Sequence, residues 1–194
     1  MEYLIAPDRR AADGFVLRSY EVADGPLLSD ALNESYEHLR AWLPWPKQYQ
    51  TIEESERKVR EFRGRYLLAQ DFTLGIFSAD EQRLLGGTGF HLREGPISAG
   101  CDEIGMFLRQ SEAGRGLGTR VLKSLLEWGF SEWPWLRLSW RCDQRNVGSA
   151  RVAEKAGLRL EGVLRGQRAD VGEERKDTMC FGLMKSEWAG NSPA

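Results

Sequence analysis

Glu103-Ile104-Gly105-Met106-Phe107-Leu108-Arg109, the turn Ala113-Gly114-Arg115-Gly116-Leu117-Gly118 and the run that continues to Phe130 decide how this chain is read. The first segment has the branched and aromatic residues of a strand and no proline. Past the turn, Leu117, Val121, Leu122, Leu125, Leu126 and Trp128 recur at the three-to-four-residue spacing of a helix that buries one face. Strand, glycine turn and helix N-terminus therefore follow one another directly. The first amides of a helix lack intrahelical acceptors and lie at the positive end of its dipole, and glycines let a ligand approach closely. A phosphate fits such a place. The stretch is neither a P-loop, since no Gly-Lys-Ser/Thr follows, nor a Gly-x-Gly-x-x-Gly dinucleotide turn. Read alone, it is equally a tight connection without a ligand.

Working outward, Phe15-Val16-Leu17-Arg18-Ser19-Tyr20 reads as a first strand after a loose lead-in over residues 1–13. A helix begins at Gly25-Pro26 with Leu28, Ala31, Leu32, Ser35, Leu39 and Trp42 on one face, and Pro44 and Pro46 are expected to stop it. Thr51 and Glu54 form a capping box for a second helix that carries Val59, Phe62 and Tyr66 inward and a solvated row of charges outward. Residues 72–77 and 84–92 read as a hairpin around Ala79-Asp80-Glu81-Gln82. Its second arm holds Gly86, Gly87 and Gly89, which weaken a strand unless backbone or ligand comes close. Residues 136–142 form the next strand, Asn146 caps a helix that Gly157 ends, and residues 158–164 and 177–184 are two last strands around a charged segment, 165–176. Residues 190–194 read as a frayed tail.

The 194 residues suit one domain, 1–194, and 41% hydrophobic with 29% charged residues is ordinary for a globular protein. A net charge of -2 gives no reason to expect nucleic acid, and no apolar run is long enough for a bilayer. The N-terminal residues lack the pattern of a secretion signal, so a cytoplasmic location is expected. Cys101, Cys142 and Cys180, like His38 and His91, are isolated, so neither disulfide nor metal site is expected.

The glycine turn resembles the pyrophosphate loop of the GNAT superfamily of acyl-CoA-dependent N-acetyltransferases: Gly116 and Gly118 match its two small positions, although Ala113 stands where Gln or Arg is usual. Residues Asn33 to Trp45 resemble the helix-and-loop entry of the RimJ/RimL group within it, whose members include acetylators of ribosomal-protein N-termini. The order of elements agrees along essentially the whole chain. This resemblance implies an α+β GNAT fold, a central mixed, mostly antiparallel sheet of about seven strands with four helices, the fourth and fifth strands splayed to admit acetyl-CoA.

It also implies roles. Gly114, Arg115, Gly116, Leu117, Gly118 and Thr119 would surround the pyrophosphate, and the main chain of Met106, Phe107 and Leu108 would bond the pantetheine arm. Asn146 would bond that arm too, and the Ser149 hydroxyl would meet the leaving thiolate; alternatively Asn146 is only a cap and Ser149 a first-turn residue bonded locally. Ala153 stands where many members carry a tyrosine acid, which makes Ser149 the better candidate. Glu103 is the candidate base, alone or through a water relay, or else a strand-end surface glutamate. Trp42 and Trp45 either wall the substrate pocket or pack as a rigid corner. A glutamate used by some RimL proteins aligns with Arg168, so that role is not carried over. The expected activity is direct transfer of acetyl from acetyl-CoA to a primary amine, a protein N-terminus or a small molecule, without an acyl-enzyme on Cys142; a homodimer is possible. The competing expectation is a non-catalytic acyl-CoA sensor on the same fold.

Overall fold

A computed structural model describes residues 4–169 and 175–190. They hold eight strands and five α-helices, with strand order β1-β2-β3-β4-β5-β6-β8-β7. The described residues gather into two compact units, those within 1–91 with 106–113 and those within 92–105 with 114–194.

The first unit is an antiparallel meander covered by two helices. It comprises β1 (Arg9–Ala12), β2 (Phe15–Ser19), α1 (Gly25–Leu39), α2 (Ile52–Leu67), β3 (Phe72–Ser78) and β4 (Leu84–His91). The lead-in expected over residues 1–13 contains a strand after all: Arg9–Ala12 pairs antiparallel with β2, from Arg9↔Arg18 to Ala12↔Phe15. No apolar alternation announces it, because exposed and partly buried residues alternate along this edge strand and none is buried. Helix α1 buries Leu28, Ala31, Leu32, Ser35 and Leu39 as its periodicity requires. It stops at Leu39, five positions before Pro44, and leaves Trp42 in a turn in which the amides of Trp42 and Leu43 both donate to the Leu39 carbonyl. The Thr51–Glu54 capping box forms as expected, each side chain accepting from the other's amide at 3.1 Å. Tyr20, Leu28, Leu32, Val59, Phe77 and Leu84 make up the core between helices and strands, with Phe62 and Phe107 packed at its margin.

The second unit carries a crossover. Strand β5 (Cys101–Leu108) is shared in sequence between the units, and its opening residues pair in parallel with β6 (Arg137–Asp143). A parallel pair needs a long connection, which α3 (Leu117–Ser131) supplies. Strand β6 then pairs antiparallel with β8 (Lys176–Met184), and β8 with β7 (Arg159–Arg168). Because β1 adds one to the count, the strands expected to splay are β5 and β6. Their parallel register covers Cys101↔Arg137, Asp102↔Leu138 and Glu103↔Ser139, while β6 stays paired with β8 through Asp143. Helix α4 (Val147–Ala156) starts at the Asn146 cap and ends at Gly157, whose φ of 99° is the left-handed conformation that glycine adopts freely. A fifth helix, α5 (Lys185–Gly190), follows β8 directly, where the sequence reading had no element. Much of this unit's interior is tryptophan: Trp128 and Trp135 are fully buried, and Trp133 stacks on Trp135 with ring centroids 6.0 Å apart. Residues 170–174 of the charged segment and 191–194 of the expected tail lie outside the described residues.

Candidate active site

In the second unit the glycine turn adopts the shape that its composition suggests. Gly114 and Gly116 have φ of 75° and 79°, and Gly116 is the N-cap of α3. An L side chain is strained in that region, which explains glycine at both positions. Gly114, Arg115 and Gly116 are exposed, Leu117 and Gly118 buried, and Thr119 partly buried. A Cβ on Gly114 would meet nothing within 4 Å, and one on Gly116 only the Arg120 guanidinium at 3.9 Å. The first intrahelical bond of α3 runs from the Arg120 amide to the Gly116 carbonyl, so the amides before it stand at the open positive end of a 15-residue helix. This space and these donors fit a pyrophosphate.

At the start of α4 the Asn146 Oδ1 accepts from the Ser149 amide at 3.0 Å, so the cap is real. The Ser149 hydroxyl is not bonded only locally, however. It accepts the indole N–H of Trp140, on β6, at 3.0 Å. Beside it, Cys142 is buried; burial pushes its thiol pKa up, against a lowering contribution from the Ser149 hydroxyl. A thiol held protonated is a poor nucleophile.

Glu103 is not a surface glutamate. It is 6% exposed, and its carboxylate pairs with Arg93 on one oxygen and with Arg141 Nε at 3.5 Å on the other. Arg141 also holds Glu94 at 3.1 Å, and the Ser139 hydroxyl donates to that same Glu94 oxygen at 2.8 Å. This network of Arg93, Glu94 and Arg141 around Glu103 escaped the sequence reading, because its charges come from three separate segments, Arg93-Glu94, β5 and β6. Trp140 escaped it too: it is one residue of the strand over 136–142, and only the packing of α4 beside β6 gives its N–H a partner.

In the first unit, Met106, Phe107 and Leu108 are partly buried. The glycines of β4 show why this segment can lie so close: a Cβ on Gly86 would sit 2.3 Å from the Phe107 carbonyl oxygen, and one on Gly87 2.4 Å from the Phe107 ring. Trp45 is 42% exposed and meets the Phe107 ring edge-on at 5.7 Å. Trp42 is partly buried in the turn after α1 and has no such position on Phe107 among the ring contacts of the described residues. Among the described residues, no group of three or more His, Cys, Asp or Glu side chains could hold a metal ion.

Comparison with known proteins bears directly on this geometry. A probable N-acetyltransferase of Bacillus subtilis, YjcK, is 31% identical over 118 residues, 60% of this chain and 64% of that protein. YnaD of the same organism, an uncharacterized N-acetyltransferase, is 28% identical over 58% of this chain and 64% of its own. The chain thus spans less than two thirds of the length of these curated relatives. Among solved structures, a ribosomal-protein-S5-alanine acetyltransferase from Vibrio fischeri superposes with a TM-score of 0.82 at 16% identity, covering 96% of this chain and all of that one. RimL, described as a ribosomal L7/L12 alpha-N-protein acetyltransferase in complex with coenzyme A, superposes with a TM-score of 0.81 at 20% identity over 91% of this chain and 97% of its own. At such identities the likeness is one of fold. The family model of the acetyltransferase (GNAT) domain matches residues 15–159, which run through the glycine turn, α3, β6 and α4, and the chain belongs to that family.

Proposed function

We propose that this protein is an N-acetyltransferase that moves acetyl from acetyl-CoA directly to a primary amine, of the RimJ/RimL type, with a protein N-terminal α-amine or a small amine as acceptor. The observation that carries the reading is the left-handed Gly116 cap opening α3 within the stretch that the family model matches. The match runs through both compact units, which supports a single functional domain. The coenzyme A in the RimL complex supports the cofactor class, and the names of RimL and the S5-alanine enzyme support the acceptor class.

The roles follow from what each group can do. The amides and Arg115 of the Gly114–Thr119 turn bind the pyrophosphate, and the main chain of Met106, Phe107 and Leu108 aligns the pantetheine arm. Asn146 shapes the first turn of α4 so that Ser149 faces β6, and its amide group is a further donor for that arm. Acetyl-CoA, when bound, supplies the thioester. The amine needs to lose a proton before its nitrogen can attack; both oxygens of Glu103 already meet guanidiniums, so a water bound at Glu103 takes that proton as it hands one of its own to the carboxylate. The Ser149 hydroxyl gives its proton to, or hydrogen-bonds, the sulfur as the C–S bond breaks. The raised pKa of Cys142 supports transfer without an acyl-enzyme.

Release of free thiol from acetyl-CoA, measured on purified protein against N-terminal peptides and small amines, tests the proposal. Release that requires one acceptor class is the expected outcome. Binding of acetyl-CoA with no turnover on any amine would instead favour a sensor.

A further inference from the structure

Lys58, on α2, has a setting that the residues above do not use. Its ammonium donates to the neutral Gln50 Oε1 at 3.2 Å and lies 5.6 Å from the centre of the Trp45 ring. The carboxylates nearest it along the helix are committed to other cations: Glu54 accepts Lys47 at 2.7 Å and Glu61 accepts Arg65 at 2.6 Å. Among the described residues no carboxylate lies within ion-pair distance of Lys58. Burial, with the nearby Lys47 charge, lowers its pKa, as expected for a cation short of a counter-charge.

The aromatic partner is as telling as the cation. Trp45 is 42% exposed, and its ring meets Phe107, in the strand segment proposed for the pantetheine arm. A half-exposed indole is a platform for methylene or aromatic groups. A partly buried ammonium beside it has lost some hydration and has only a neutral acceptor in return, so an anion brought to it gains more than at an exposed lysine. Ammonium and platform together match a ligand with a carboxylate attached to an apolar stem.

We propose that Lys58 and Trp45 form an acceptor subsite that selects primary amines bearing a carboxylate, such as peptides with an acidic residue after the reacting N-terminus, over neutral amines and polyamines. This rests on the acetyltransferase reading above. Acceptor charge is then read by the first unit through α2, and Trp45 aligns the stem on Phe107.

The test compares matched acceptors, the peptide amides Ala-Glu-Ala and Ala-Gln-Ala, in the thiol-release assay. The glutamate peptide should be preferred about tenfold in kcat/KM, the value of one charge-assisted hydrogen bond. Lys58→Met should erase that preference through KM, Lys58→Glu should reverse it, and the KM for acetyl-CoA should stay unchanged in both. Equal use of the two peptides by the unaltered protein, or a preference that survives Lys58→Met, overturns the proposal. Calorimetry with the N-acetylated forms of the same peptides reads the subsite without turnover: tighter binding of the glutamate form that Lys58→Met abolishes supports it, and equal or absent binding refutes it. Selective binding with no turnover on any amine would leave the subsite standing and remove the transferase instead.

Discussion

The indole N–H of Trp140 donates to the Ser149 hydroxyl across 3.0 Å, joining β6 to the first turn of α4. Since the hydroxyl accepts from the indole, its own proton is left to point elsewhere, as an acid needs. Trp140 is therefore a positioning residue for the proposed chemistry. Ser149→Ala should lower kcat by about a hundredfold, the usual contribution of a general acid, with acetyl-CoA affinity nearly unchanged. Trp140→Phe, which keeps the ring and loses one neutral hydrogen bond, should lower it about fivefold. Combined with Ser149→Ala it should cost nothing more, and additive losses would show that Trp140 acts by another route.

Gly116 tests the phosphate turn. At φ 79° an alanine already meets strain of about 1 kcal/mol, and Gly116→Glu adds bulk and negative charge where the phosphates are proposed to sit. Coenzyme A binding by calorimetry should be lost in Gly116→Glu and only weakened in Gly116→Ala. Retained affinity in the glutamate variant would sink the assignment of the turn.

Gly86 tests close packing in the first unit. A Cβ there meets backbone, the Phe107 carbonyl oxygen at 2.3 Å, which cannot swing aside. Gly86→Ala should destabilise by about 1–3 kcal/mol, as overpacking does. Thermal unfolding measures this, and an unchanged midpoint would contradict the packing described.

Arg109 anchors the segment that leaves β5. It is 2% exposed and donates to the Leu84 carbonyl at 2.9 Å, to Glu34 at 2.5 Å and to Asp30 at 2.7 Å, both acids on α1. Arg109→Ala takes the donor from the buried Leu84 carbonyl, while Asp30 and Glu34 are exposed enough to turn to water, and should cost about 1–3 kcal/mol. Denaturant unfolding would give the value; a loss under about 1 kcal/mol would mean that Arg109 contributes no more than a surface bridge does.

Asp143 gives the turn between β6 and α4 a pH dependence. The Arg145 side chain, against the opposing effect of burial, and the Arg145 amide hold its carboxyl below the ordinary 3.8. A depressed carboxyl stabilises the fold above its unfolded pKa and loses that stabilisation as pH falls through the folded value. Stability should thus drop in acid below about pH 4, and Asp143→Asn should flatten that part of the profile in unfolding measured against pH.

Much of the fold could be read from local pattern. The capping box at Thr51, the face Leu28-Ala31-Leu32-Ser35-Leu39 and the glycine stop at Gly157 each encode their element in a few neighbouring residues. Strand β1 could not, since an exposed edge needs no alternation, and neither could the end of α1 at Leu39, where the chain turns before its prolines. Gly86 and Gly87 signalled a close approach without naming the partner; the partner proved to be Phe107, some twenty residues away.

Apart from β1 and α5, the elements, their order and the glycine turn at α3 are written into the chain locally, because hydrophobic period, caps and turn residues act over short distances along it. What each functional candidate touches is set by the fold in space. It put Trp140 on Ser149, Arg93 and Arg141 on Glu103, and Lys58 beside Trp45. Those partners come from separate segments, and a side chain's charge or hydrogen-bond partner is set by distance in space, which no local pattern records.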